Sequence, residues 1–162
     1  TEKQTIEDMI EPDSTSKEEL EHLMTMFFPD ARTKRYIEIR MMDSIPYPLN
    51  LAAVALIKGL LYDDANLEEL YKFAESIKLE DVAASKLQLL DKGINAELKG
   101  RTILEIGKWM VGMAKKSLGD EQSYLQPLES LLADGKTPYM ITKENYKDGD
   151  RRSAIDWAIL RR

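Results

Sequence analysis

The sequence has no cysteine, no concentrated positive charge and no long apolar run, and each absence excludes a class of function. Without cysteine there are no disulfides, thiolate nucleophiles or Cys-ligated zinc sites, which fits a reducing compartment and makes a cytoplasmic setting the expectation. Lys+Arg number 23 and Asp+Glu 29, and the two signs are interspersed, so we expect no nucleic-acid partner. The longest apolar run, Leu49 to Leu61, contains Asn50 and Lys58 and is too short to span a bilayer, so we expect no membrane partner.

Helical periodicity dominates what is present. Hydrophobic residues make up 43% of the 162 residues, which is enough for a single domain over 1–162 with its own core. A polar lead-in covers 1–17, and apolar side chains at helical spacing fill a tail over 50–162. Ser16 followed by Glu19 has the pattern of a capping box and predicts a helix that begins there. The fold class is therefore predicted to be mostly α, with one or two strands.

One helix in that tail should be more deeply buried than the others. Leu51 to Tyr62 is apolar on nearly all sides, and Lys58 and Gly59 are the exceptions. A helix that is hydrophobic all round is normally covered on both sides. We therefore predict that this helix packs between layers.

Residues 33–42 differ from the rest, because large apolar and charged side chains alternate there. Alternation with period two predicts a β-strand, on which Glu38 and Arg40 project from one face. No partner strand is evident, and unpaired strand backbone is costly when buried and adhesive when exposed. The strand is expected either to pair with a second copy in a homodimer or to join a sheet formed by sequence outside this chain. The first residue, which is not methionine, favours a piece of a longer protein.

A carboxylate and a guanidinium on one strand face suit phosphoryl-transfer chemistry. A carboxylate can ligate a hard divalent cation, while a guanidinium forks onto carboxylate or phosphoryl oxygens. A solvated strand face with Glu38 and Arg40 loosely paired has the same spacing, so spacing alone leaves both interpretations open.

Two segments around this strand carry a family resemblance: FFPDARTKRYIEIRMMD and LNLAAVALIKGLLYDD, which lie between Phe27 and Asp64. They resemble plant-type and related bacterial glutamate-cysteine ligases (γ-glutamylcysteine synthetases). In those enzymes a Phe-Pro stretch leads through Lys-Arg-Tyr to a Glu-x-Arg strand, and a helix ending in Gly-Leu-Leu-Tyr-Asp follows. The strand is also similar to the Glu-x-Arg strand of glutamine synthetase, which is followed by a Pro-Tyr element. The resemblance implies a C-terminal fragment of an α+β glutamine synthetase-like catalytic fold.

The resemblance also implies roles for individual residues. Glu38 would coordinate Mg²⁺, Arg40 would be catalytic and hold the transferring phosphoryl group, and Tyr47 would join Arg40 in binding substrate. ATP would phosphorylate glutamate, and cysteine or another amine would attack the resulting γ-glutamyl phosphate, a reaction of glutathione biosynthesis. The other active-site groups would come from the remainder of the ligase polypeptide, so the isolated chain is expected to be inactive.

Two alternatives stay open at this point. The chain could be a stand-alone helical interaction module whose strand docks onto the sheet edge of a partner. It could also belong to a related carboxylate-amine ligase that uses a different amine. Plant-type members carry a loop with glycine and tryptophan after the strand, whereas residues 41–45 here read Met-Met-Asp-Ser-Ile.

Overall fold

The computed structural model describes residues 5, 7–11, 13–26, 30–147 and 149–159. The chain divides between Asp43 and Ser44 into two compact units, of which the second is the larger. Helices dominate the described residues, so the mostly α prediction is confirmed. No helix in this part of the chain is long and apolar enough to cross a membrane.

The first unit contains one α-helix and one β-hairpin. Helix α1, Lys17–Thr25, begins where the sequence predicted. The hydroxyl of Ser16 accepts a hydrogen bond from the Glu19 backbone N–H, and the Glu19 carboxylate accepts one from the Ser16 backbone N–H. This reciprocal pair satisfies two amide groups that the first helical turn leaves without partners. A short 3-10 turn, Glu7–Met9, lies before it.

The hairpin corrects the expectation of an unpaired strand. Strand β1, Ala31–Thr33, pairs antiparallel with strand β2, Ile37–Ile39, so the partner lies within this chain. The strand predicted over 33–42 is thus shorter, because residues 34–36 form the turn of the hairpin. That turn reads Lys-Arg-Tyr and has neither glycine nor asparagine, the residues that usually mark a tight hairpin. Neither a second copy nor another polypeptide is needed to pair this edge of β2.

The second unit is built from helices and one further hairpin. Strands β3 and β4 are two residues each and pair antiparallel. The elements in chain order are α2 Leu49–Leu61, α3 Asp64–Glu75, α4 Leu79–Lys92, β3 Glu97–Leu98, β4 Arg101–Thr102, α5 Ile103–Ser117, α6 Gln126–Ala133, α7 Pro138–Asn145 and α8 Arg151–Ile155. A 3-10 segment, Gly119–Leu125, joins α5 to α6.

Helices α2 and α5 form the centre of this unit and approach each other at Gly59. A Cβ atom added to Gly59 would lie 2.7 Å from the Cβ of Ala114, so only glycine allows this separation. Both residues are buried, and Leu125, which is fully buried, packs in the same hydrophobic cluster. The close contact therefore depends on small side chains at the crossing of the two helices.

Polar side chains secure the carboxyl end of α2. The backbone carbonyl of Gly59 accepts hydrogen bonds from Asn66 Nδ2 at 2.8 Å and from Ser117 Oγ at 2.6 Å. Asn66 also donates to the Met113 carbonyl at 3.2 Å and so links α2, α3 and α5. Asp63 caps α3 by accepting from the Asn66 backbone N–H. Carbonyls that the end of α2 leaves unpaired thus have side-chain donors.

The structure covers α2 on one side only, which differs from the expectation of a helix buried between layers. Ala52, Ala55 and Leu60 are buried, whereas Leu51, Val54 and Leu61 are exposed. Within the described residues of the second unit, nothing packs over this outer side to the degree that its composition predicts.

Candidate functional site

The β1–β2 hairpin presents the predicted charged residues. Its register sets Arg32 directly opposite Glu38. Backbone hydrogen bonds extend the pairing beyond the strands, from Lys34 N–H to the Tyr36 carbonyl at 2.8 Å and from Arg40 N–H to the Asp30 carbonyl at 2.9 Å. Directly opposed residues of antiparallel strands lie on the same face, so Arg32, Glu38 and Arg40 share one face of the hairpin.

Glu38 is held by two cationic side chains through a single carboxylate oxygen. Arg32 donates to Glu38 Oε2 from Nε at 2.8 Å and lies 2.7 Å from it with Nη2. The ammonium of Lys34 is 3.8 Å from the same oxygen. The hydrogen bond from Arg32 is the main cause that lowers the pKa of Glu38, and the charges of Arg32, Lys34 and Arg40 lower it further. Glu38 is therefore ionised at neutral pH and fixed in orientation.

In the hairpin, Glu38 can offer one carboxylate oxygen to a metal ion. The hydrogen bond and the ion pairs that Glu38 makes with Arg32 and Lys34 go to Oε2, so Oε1 is the oxygen that would bind a cation. Mg²⁺ in proteins is usually bound through one or two carboxylates together with water and substrate phosphates. No group of three or more acidic or histidine side chains in the described part of the chain could hold a metal ion. Glu38 thus fits as one ligand among others supplied from outside.

Arg32 has a second feature, a guanidinium nitrogen without a hydrogen-bond partner among the described residues. Its side chain is 12% exposed, and Nη1 is buried without a hydrogen-bond partner among the described residues. A buried guanidinium donor that is not satisfied is costly, so such groups normally meet an acceptor.

Arg40 and Tyr47 are placed in different units. Arg40 follows β2 in the first unit, is half-buried, and its charge acts on the Glu38 carboxylate. Tyr47 lies in the second unit, immediately before α2, and is 62% exposed. The structure therefore brings Glu38 and Arg40 to one face and leaves Tyr47 as a separate surface residue of the second unit.

Two segments that flank the Glu-x-Arg strand also carried the family resemblance: the Phe-Pro stretch and the Gly-Leu-Leu-Tyr-Asp element. The Phe-Pro stretch at 27–29 lies outside the described residues. In the Gly-Leu-Leu-Tyr-Asp element, Gly59 provides the close contact with α5 and Asp63 caps α3. These two residues shape the scaffold behind α2 and α3 rather than a reactive surface.

Sequence analysis missed Arg32 and Lys34 as partners of Glu38. The hairpin register places them next to Glu38, but that register becomes readable only once residues 34–36 are recognised as a turn. The available signal was the run of cations from Arg32 to Arg35 that precedes a single carboxylate in an alternating segment.

In the second unit, one guanidinium packs against two aromatic rings. The Arg101 guanidinium lies 4.8 Å from the ring centroid of Trp109 and 5.7 Å from that of Phe73, and the two rings pack edge to face. Trp109 donates from its indole nitrogen to Glu69 at 3.0 Å. These contacts join β4, α3 and α5, which makes them a packing feature of the helical unit.

Comparison with known proteins gives the same family as the resemblance carried by the sequence. The profile of glutamate-cysteine ligase family 2 (GCS2) matches residues 4–155. Glutamate–cysteine ligase A, chloroplastic, of Oryza sativa subsp. indica is 24% identical over 122 residues, which cover 73% of this chain and 25% of that protein.

Two further relatives, both named glutamate–cysteine ligase, chloroplastic, show a similar likeness. The Medicago truncatula protein is 25% identical over 122 residues, covering 73% of this chain and 24% of that protein. The Arabidopsis thaliana protein is 24% identical over 140 residues, covering 84% of this chain and 27% of that protein. The chain thus spans about a quarter of the length of the relatives that it matches. Because the family profile covers almost the whole chain, the chain belongs to glutamate-cysteine ligase family 2.

Proposed function

We propose that this chain is the C-terminal portion of an ATP-dependent ligase that joins the γ-carboxylate of glutamate to an amine, with cysteine as the expected amine. The observation that carries the proposal is Glu38, whose carboxylate is held ionised by Arg32 through Oε2 and lies beside the positive charge of Arg40. The names of the relatives and the family match support the same reaction.

The reaction has two steps. A γ-carboxylate oxygen of glutamate attacks the γ-phosphorus of ATP, the bond to the ADP oxygen breaks, and γ-glutamyl phosphate forms. The amine then attacks the acyl carbon, the bond to the phosphate oxygen breaks, and the amine gives up a proton. The products are the amide, ADP and phosphate, as expected for glutathione biosynthesis when the amine is that of cysteine. No protein nucleophile is needed.

The residues of this chain would bind and orient the reacting groups. Arg40 would hold the transferring phosphoryl oxygens and favour the charge that develops there. Glu38 would provide one oxygen to Mg²⁺, and the bound metal would supply charge neutralisation at the phosphates. Arg32 would keep the Glu38 carboxylate ionised and in one orientation, and Tyr47 would contribute to substrate binding. The remaining ligands and the nucleotide contacts would come from the rest of the ligase polypeptide.

Replacing Arg40 tests this assignment in the complete ligase. Arg40→Ala should lower kcat by at least two orders of magnitude, since one preorganised charge at a transition state contributes on the order of 10²-fold or more. Arg35→Ala is the matched control, because Arg35 is an exposed arginine in the turn of the same hairpin. It should leave kcat within about twofold. Full activity of Arg40→Ala, with an unchanged circular dichroism spectrum, would remove Arg40 from the mechanism.

The isolated 162-residue chain should release no ADP with glutamate and cysteine. Its described residues lack a complete set of metal ligands, so transfer of a phosphoryl group has no site. Steady ADP release from the pure chain that depends on both substrates would contradict the proposal that it is one portion of a catalyst.

The identity of the amine is tested separately by supplying other amines to the complete ligase. A different preferred amine would support the related carboxylate-amine ligase and would leave the role of Arg40 intact. The interaction-module alternative loses its motivating observation, because β2 has its partner in β1. A homodimer and a cytoplasmic setting stay predictions; the names of the relatives place those proteins in chloroplasts.

A further inference from the structure

The outward side of α2 has a composition that its present surroundings do not explain. Leu51, Val54, Lys58 and Leu61 follow one another at spacings of three, four and three residues, and all four are exposed. Positions with these spacings lie along one side of a helix. We call this row the α2 ridge. On a helix with one covered side, the outer side normally carries polar residues, yet three of the four ridge residues are aliphatic.

The charge of the one polar ridge residue is neutralised locally. Lys58 Nζ lies 2.5 Å from Glu121 Oε2, in the 3-10 segment that follows α5. Between α2 and this segment runs a groove of about 160 Å³, whose lining includes Leu51, Val54 and Tyr124 together with that ion pair. The ridge and the groove therefore form one apolar surface without net charge. Val54, 58% exposed, stands at its centre.

We propose that the α2 ridge and its groove are the docking surface for the remainder of the ligase polypeptide, which would cover them with an uncharged apolar face. This inference rests on the proposed function in one respect, that the chain is a portion of a longer ligase. About three quarters of the length of the relatives lies outside the matched region. Helix α2 begins ten residues after the end of β2, the strand that carries Glu38.

A second copy of the chain fits this surface less well. The aliphatic surface of the ridge is limited to three side chains, Leu51, Val54 and Leu61, which are 39%, 58% and 38% exposed. A stable dimer buries roughly 800 Å² on each partner. A partner joined through the same polypeptide needs less area, because the tether gives it a high effective concentration. The size of the surface therefore favours a covalently linked occupant.

Thiol accessibility tests the proposal without reference to activity. The chain contains no cysteine, so Val54→Cys introduces a single reactive thiol into it with little change in side-chain shape. In the 162-residue chain, Cys at this position should react rapidly with a maleimide. In the complete ligase, the rate of the maleimide reaction at position 54 should fall at least tenfold. Mass spectrometry of the peptide that contains position 54 measures this rate.

Ala74→Cys is the matched control, because Ala74 is exposed on α3 and is not among the residues that line the groove. Its rate should agree between the two proteins within about twofold. Equal rates at position 54 in both proteins would overturn the proposal, and so would equal slowing at both positions. Slowing at position 54 that depends on the concentration of the 162-residue chain would assign the surface to a second copy and overturn it as well.

The outcome separates this inference from the proposed function. Protection of position 54 in a complete protein that shows no ligase activity would support the docking surface and contradict the ligase assignment. An active ligase in which position 54 reacts freely would do the reverse.

Discussion

Gly59→Ala should destabilise the second unit, although alanine is the better helix former. An added Cβ at residue 59 would lie 2.7 Å from the Cβ, 2.8 Å from the Cα and 2.8 Å from the carbonyl oxygen of Ala114. Two of these atoms belong to the backbone and the third is fixed to it, so no side-chain rotation can relieve the overlap. Helices α2 and α5 must separate, which strains the centre of the hydrophobic cluster.

The expected magnitude combines two opposing effects. Overpacking of a well-packed interior costs about 1–3 kcal/mol. Replacing glycine by alanine inside a helix recovers about 0.5–1 kcal/mol. Taking the middle of each range, the net loss should be about 1 kcal/mol in the free energy of unfolding. Separation of the helices would also weaken the hydrogen bonds that Asn66 and Ser117 donate to the Gly59 carbonyl.

Gly112→Ala is the matched control, because Gly112 lies in α5 and a Cβ there would meet no atom within 4 Å. This variant should gain about 0.5–1 kcal/mol from helix propensity alone. Urea unfolding followed by circular dichroism measures both values. If Gly59→Ala proves as stable as wild type while Gly112→Ala gains the expected amount, the proposed close contact between α2 and α5 is refuted.

Three further variants test other contacts. Leu125→Ala should cost about 2–5 kcal/mol in urea unfolding, since its side chain is fully buried; a loss below 1 kcal/mol would contradict that burial. Thr102→Ala should cost about 1 kcal/mol by removing the cap of α5, and an unchanged midpoint would refute the cap. Hydrogen bonds from Thr102 lower the pKa of Glu105. The contribution of ionised Glu105 to folding stability should therefore be present above the ordinary pKa of glutamate and be lost as the pH falls through the lowered pKa. Glu105→Gln should abolish that pH dependence. Arg32→Gln should raise the pKa of Glu38 as followed by carboxyl NMR, and no change would refute the Arg32 contact.

Sequence patterns predicted the helices, because the residues that favour a helix lie close together in the sequence. Ser16 and Glu19 marked the start of α1, and the structure confirms both halves of their capping box. Apolar spacing likewise predicted the helices of the second unit. These features were readable because their energetics depend on neighbours in sequence.

The two hairpins were not predicted because neither turn has the full pattern of residues that marks a tight hairpin. Lys99 adopts a positive φ of 52° next to Gly100, so a lysine occupies a place where asparagine or glycine is usual. The turn at residues 34–36 has no glycine at all. Without the turn there is no register, and without the register the pairing of Arg32 with Glu38 could not be inferred.

The surroundings of α2 were the other point that sequence could not settle. Its composition predicted burial on nearly all sides, while the structure buries one side and leaves Leu51 and Val54 exposed. A composition pattern reports what a helix requires in its complete protein, and it does not say which polypeptide provides the cover. This difference is the physical reason for proposing a docking surface on the α2 ridge.

The central claim is that the complete ligase activates the glutamate γ-carboxylate by phosphorylation with the help of Arg40. Glutamate labelled with ¹⁸O in its γ-carboxylate tests this directly when it is turned over with ATP and cysteine. One ¹⁸O atom should appear in the inorganic phosphate released for each amide formed, and the rate of this transfer should fall at least a hundredfold in Arg40→Ala. Amide formation that leaves the phosphate unlabelled, or unchanged transfer in Arg40→Ala, would contradict the account.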